Sequence, residues 1–173
     1  MKRNWQRSPN SSVWYFVRNP YDRIFSAYKS KIGNVKAEEW YQRVQRAIRE
    51  YCDYPERVGV VAFRDFVRYV QSEHDGDPHW VSLTKRLALD LMPYDFIGRH
   101  ETFARDFETV MAKLGAPDDV RAFGSTPYGK SYEIPLAVAY DKEIADSVYE
   151  LYREDFERFG YDRESWRFLG VET

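Results

Sequence analysis

The hydrophobic pattern along the chain changes period several times, and each change marks an element. Val13-Trp14-Tyr15-Phe16-Val17 is a short apolar, partly β-branched run after the polar residues 8–12, and it predicts a buried strand. A helix is predicted to follow at once. Asn19 suits an N-cap, Pro20 the first helical position, and Asp22 the first turn, where a carboxylate favours the helix dipole. Tyr21, Phe25, Tyr28 and Ile32 then form one apolar stripe that Gly33 ends.

The same reasoning predicts amphipathic helices over residues 37–51 and 62–72, with a polar loop at 74–78. Residues 94–98 predict a second strand leading into a helix over 101–114 stopped by Gly115. Residues 117–135 are expected to be irregular, and a last long helix spans 141–159 with Gly160 past its end. Two strands each followed by a helix, among further helices, predict an α/β fold, helix-rich with a small parallel sheet. A length of 173 residues predicts a single domain over 1–173, with residues 1–12 expected to be flexible.

Composition sharpens this in one respect. Aromatic residues make up 17% of the chain, so large rings must carry much of the core. The single cysteine, Cys52, excludes an internal disulfide and a cysteine-rich zinc site, and three scattered histidines argue against a metal centre. Without an apolar run of membrane-spanning length or a signal-peptide core, the expectation is a cytoplasmic protein with no membrane segment in this chain. The net charge of −2 indicates no nucleic-acid partner, but its distribution is uneven. Residues 1–31 carry seven basic side chains against Asp22 alone, which points to a local anion site.

That site is predicted where the first strand enters its helix. Arg18 can grip an anion in a bidentate fork, Ser26 can add a hydrogen bond, and the free amides at the helix start favour negative charge. A phosphate monoester fits. The competing reading is that Arg18 pairs with Asp22 and Ser26 only faces a neighbouring helix. Gly124-Ser125-Thr126-Pro127-Tyr128-Gly129-Lys130-Ser131 matches the P-loop pattern, yet no strand-like run precedes it and Pro135 follows too closely for the required helix. His79, His100 and Glu101 are the candidates for a general base, each also readable as an ordinary structural residue.

Phe16-Val17-Arg18-Asn19-Pro20-Tyr21-Asp22-Arg23-Ile24-Phe25-Ser26-Ala27-Tyr28-Lys29 resembles the 3′-phosphate-binding segment of sulfotransferases that use 3′-phosphoadenosine 5′-phosphosulfate (PAPS), in particular the family holding many carbohydrate sulfotransferases. Asp77-Pro78-His79-Trp80, residues 94–107 and residues 152–161 look like that family's later blocks in the same order. The resemblance implies a P-loop-NTPase-like sulfotransferase fold, PAPS as co-substrate, a hydroxyl-bearing and glycan acceptor, and 3′-phosphate binding by Arg18 and Ser26. It also implies that Lys130 and Ser131 belong to a loop closing over the nucleotide. No strand and Lys-Ser/Thr loop for the 5′-phosphosulfate stands before Val13, so the fold is expected to be N-terminally incomplete. Three other readings remain at this point: a non-catalytic nucleotide-binding remnant, an ATP- or GTP-dependent P-loop enzyme using Gly124 to Ser131, and a purely structural helical protein.

Overall fold

A computed structural model describes residues 11–33, 38–73, 77–123 and 136–169. Strand β1 (Trp14–Val17) leads into helix α1 (Pro20–Ala27), which widens into a π-helical turn (Tyr28–Ile32). Helices α2 (Glu39–Tyr51), α3 (Phe63–Glu73) and α4 (Leu83–Leu87) precede strand β2 (Phe96–Arg99), a 3₁₀ turn (His100–Thr102) and α5 (Phe103–Lys113). Then come α6 (Asp118–Phe123), α7 (Leu136–Ala139), α8 (Lys142–Leu151), α9 (Arg153–Phe159) and a last 3₁₀ turn (Ser165–Arg167). The helix-rich chain with a small parallel sheet agrees with the expected α/β class.

The chain divides into two compact units, one of Met1–Val17 with Ala88–Tyr128 and one of Arg18–Leu87 with Gly129–Thr173. In the first, β1 and β2 pair in parallel, with Trp14 opposite Phe96 and Phe16 opposite Gly98. Phe16 packs on Phe103 of α5 with ring centroids 4.8 Å apart. The register needs glycine at 98, because a Cβ there would lie 2.6 Å from the Phe16 ring. Asp106 of α5 ties the sheet to the helix: its carboxylate accepts the Arg99 amide at 2.8 Å and the Thr102 hydroxyl at 2.7 Å.

The second unit holds the aromatic core. Tyr21, Phe25 and Ile32 of the predicted stripe are buried and Tyr28, half-buried, packs against the core; with Ile24 they meet Phe66, Val67 and Val70 of α3 and Ile144 and Val148 of α8. Tyr21 packs on Tyr140 and Phe156 at 5.3 and 4.8 Å.

Several boundaries differ from the sequence reading. Residues 101–114 do not form one α-helix: a 3₁₀ turn covers the start and α5 begins at Phe103. Part of the segment expected to be irregular is helical, since Asp118 and Asp119 open α6 with charges that suit a helix start. The long carboxyl helix is two helices, interrupted at Tyr152, which leaves helical geometry at φ −115°, ψ 24°. Gly160 ends α9 in the left-handed conformation that glycine adopts without strain. The Gly124 to Ser131 pattern, with Lys130 and Ser131, and the expectation for residues 1–10 lie outside the described residues.

Candidate anion-binding site

Helix α1 is fixed before any ligand is considered. The Asn19 side chain accepts the Tyr21 amide at 3.0 Å, the N-cap bond its sequence position predicts, and its amide nitrogen donates to the Ser165 hydroxyl at 2.8 Å. The Tyr21 hydroxyl donates to the Arg163 carbonyl at 2.7 Å, and the Tyr21 carbonyl accepts the Tyr140 hydroxyl at 2.8 Å. Burial, then the neighbouring Tyr152, Tyr21 and Asp22 groups, push the Tyr140 phenol well above its ordinary range, so that hydroxyl stays a donor. These bonds set the rotation of α1 about its axis.

Within α1, Asp22 and Ser26 stand four residues apart, the spacing that places side chains on one helical ridge, and Arg18 stands just before the Asn19 cap. Arg18 Nε donates to a carboxylate oxygen of Asp22, joining the residue before the cap to the first turn. The two side chains are 19% and 10% exposed, so the pair is shielded yet reachable from solvent. Ser26 lies one turn beyond Asp22, half-buried. The Arg18–Asp22 pair of the competing sequence reading is therefore present, and it ties the guanidinium to Asp22, one turn before Ser26.

The base candidates separate. His79 belongs to the unit that holds Arg18 and Ser26 and is exposed; its amide donates to the Asp77 carboxylate at 2.7 Å, and its ring lies 6.3 Å from that of Tyr41. His100 and Glu101 belong to the other unit, in the 3₁₀ turn after β2, where the His100 ring is 6.4 Å from Phe103. Three aromatic side chains of a kind that can stack on a base or sugar differ in access: Trp80 is core at 3% exposure, Tyr28 packs against the core, and Trp40 is exposed. Two cationic side chains near His79, Arg23 and Arg86, were not singled out from sequence, because what brings them together is a backbone carbonyl. Among the described residues no group of His, Cys, Asp and Glu could hold a metal ion. No helix among them is long and apolar enough to cross a membrane.

A family profile described as "Sulfotransferase family" matches residues 2–162. The chain is 30% identical over 177 residues to carbohydrate sulfotransferase 10 of Xenopus laevis, covering 90% of this chain and 48% of the relative. It is 28% identical over 172 residues to the rat protein of that name, covering 87% of this chain and 47% of the relative. Carbohydrate sulfotransferase 14 of Danio rerio is 33% identical over 118 residues, 61% of this chain and 30% of the relative. The chain thus spans about half the length of the carbohydrate sulfotransferase 10 relatives it matches. No solved structure matches it.

Proposed function

This chain belongs to the sulfotransferase family, and from that premise we propose that it serves the transfer of a sulfuryl group from PAPS to a carbohydrate hydroxyl, Arg18 and Ser26 holding the donor's 3′-phosphate. The acceptor class is suggested by the relatives' names. In such a transfer the acceptor oxygen bonds to sulfur and the sulfur–oxygen bond to the 5′-phosphate breaks. A base takes the hydroxyl proton, and adenosine 3′,5′-bisphosphate leaves. The reaction asks the protein mainly for alignment and for stabilisation of the leaving phosphate. A donor clasped at its 3′-phosphate is held in register at its distant sulfuryl end.

The observation that supports this reading is Arg18 bonded to Asp22, one turn before Ser26 on a helix locked by the Asn19 cap and the Tyr21 bonds. Asp22 directs the guanidinium, and the start of α1 contributes the positive end of its dipole. Lys130 and Ser131 are proposed to add to the phosphate site from the carboxyl side. His79 is favoured as base candidate because it shares a unit with Arg18 and Ser26. A P-loop-NTPase-like arrangement of the complete sulfotransferase domain is part of the same proposal.

Calorimetric titration with adenosine 3′,5′-bisphosphate and with adenosine 5′-monophosphate tests it. The bisphosphate is expected to bind at least tenfold more tightly. Arg18→Ala should remove that preference, and Ser26→Ala should weaken it severalfold, in line with hydrogen bonds to a charged group. Equal affinity for the two nucleotides would overturn the assignment.

A further inference from the structure

Asn19, the N-cap of α1, is 2% exposed and bonded at both ends of its carboxamide. The oxygen accepts the Tyr21 amide at 3.0 Å, and the nitrogen donates at 2.8 Å to the hydroxyl of Ser165, 146 residues further along the chain. That hydroxyl has a single proton and donates it to the Asp162 carbonyl at 2.6 Å. Toward Asn19 it therefore offers only oxygen lone pairs, and the carboxamide has to present its nitrogen there and its oxygen to Tyr21. A flipped carboxamide would set donor against donor at Tyr21 and acceptor against acceptor at Ser165. The serine thus selects the orientation in which Asn19 can cap the helix.

The turn that carries Ser165 is itself well held. The Asp162 carbonyl also accepts the Ser165 amide at 3.1 Å, and the Asp162 carboxylate accepts the Glu164 amide at 2.6 Å. Arg163 pairs with Asp146 at 2.7 Å and lies 4.6 Å over the Tyr149 ring. Trp166 is buried, its ring 6.4 Å from that of Tyr140. The same turn holds α1 a second time, where the Arg163 carbonyl accepts the Tyr21 hydroxyl at 2.7 Å. At the cap, Asn19 stands at φ −50°, ψ 128°. The Pro20 ring excludes helical geometry for the residue before it but leaves ψ a range of about 40°. The side-chain bonds of Asn19 settle the value within that range. Arg18 is the next residue back, and its guanidinium meets Asp22 in the first turn of the helix. A swing at Asn19 therefore changes where that guanidinium points.

We infer that Ser165 is a positioning residue for the anion site: by accepting from Asn19 it fixes the entry of the chain into α1, and with it the direction of Arg18. That the anion is the donor's 3′-phosphate rests on the function proposed above; the hold of Ser165 on Asn19 does not. In this role Ser165 acts only through Asn19. Its loss takes an acceptor from a buried carboxamide and ends the selection between the two orientations, so the cap on Tyr21 weakens and Arg18 is aimed less narrowly.

The test has two readouts on the full chain and its variants: the preference for adenosine 3′,5′-bisphosphate over adenosine 5′-monophosphate, by calorimetry, and the rate at which phenylglyoxal modifies Arg18, by peptide mass spectrometry. Ser165→Ala is expected to lower the preference about three- to tenfold, the worth of one hydrogen bond, and to speed the modification severalfold. Ser165→Thr, which keeps the hydroxyl, should restore both. Because Ser165 acts through Asn19, the double variant Ser165→Ala with Asn19→Ala should lose no more than Asn19→Ala alone. Gly98→Ala, a stability control in the other unit, should leave both readouts unchanged. In a protein that shows the preference, a Ser165→Ala variant that keeps it, or losses that add in the double variant, overturn the inference. So does a Gly98→Ala variant that moves both readouts, because lost stability alone then accounts for them. If the unmodified protein binds the two nucleotides equally, the donor assignment fails. Arg18 modification that still responds to Ser165→Ala and recovers in Ser165→Thr then supports the positioning role, and modification that does not respond overturns that as well.

Discussion

Single side chains do most of the fixing in this protein where a charge sits among amides and hydroxyls. Asp106 is the clearest case. Its carboxylate accepts the Arg99 amide, the Thr102 hydroxyl and, at 3.0 Å, Arg105 Nε. Burial works to raise its pKa, but those bonds favour the ionised form more strongly, and the net shift is downward. A folded pKa below the unfolded one means stability that is fully present above the ordinary aspartate range and lost as pH falls through the folded value. Asp106→Ala is therefore expected to cost about 2 kcal/mol at neutral pH, by the worth of hydrogen bonds to a charged group. The gap should shrink as denaturation curves are repeated below about pH 4. At the same scale the Asn19 cap was legible from its place before Pro20, because a cap is a contact between residues two apart. The Arg18–Asp22 pair was legible too, as the reading that competed with ligand binding. The convergence of Arg23 and Arg86 was not, since one partner is a carbonyl and the residues stand far apart in the chain.

Elements were predicted well wherever one periodicity ran uninterrupted. The helices around 39–51 and 63–73 lie within a residue or two of their predicted spans, and the stripe from Tyr21 to Ile32 points inward as its spacing requires. The two strands pair in parallel as the strand–helix order implied. What the periodicity could not show was the change of winding at Tyr28. There the Tyr28 hydroxyl reaches the Val61 carbonyl at 2.7 Å and the Gly33 amide bonds the Tyr28 carbonyl at 2.6 Å, closing a π turn. Sheet register is just as dependent on a partner. Gly98 faces Phe16 across the ladder, and Gly98→Ala would drive a methyl into that ring. A loss of about 1–3 kcal/mol is expected, the range for overpacking, read as a lower denaturation midpoint. Gly98→Ala combined with Phe16→Leu should recover part of it, because the smaller side chain vacates the contact.

At the scale of the molecule, long-range bonds decide where helices stop and start. Asp155 is 1% exposed and supplies the N-terminal acceptor of α4 from α9, accepting the Ser82 hydroxyl as well as the Leu83 and Thr84 amides. Tyr152, 72 residues from Trp80 in the chain, sends its hydroxyl to the Trp80 carbonyl at 2.5 Å and marks the break between α8 and α9. Asp155→Ala should therefore release α4 and cost about 3 kcal/mol or more, since buried amides lose a charged partner. Asp155→Asn, which keeps an acceptor, should cost less, and thermal melts of the two variants check the order.

The amino-acid order alone determined the amphipathic helices, the capped strand-to-helix turn with Arg18 and Ser26 near it, the aromatic character of the core, and the blocks that resemble sulfotransferases. All of these depend on residues close together or on patterns that survive without coordinates. Only the tertiary structure decided that the carboxyl helix breaks at Tyr152, that Asp155 caps α4, and that Arg23 and Arg86 share the Pro78 carbonyl. Those contacts join residues up to 73 positions apart, as from Ser82 to Asp155, and local propensity carries no information about partners that only chain folding brings within hydrogen-bond reach.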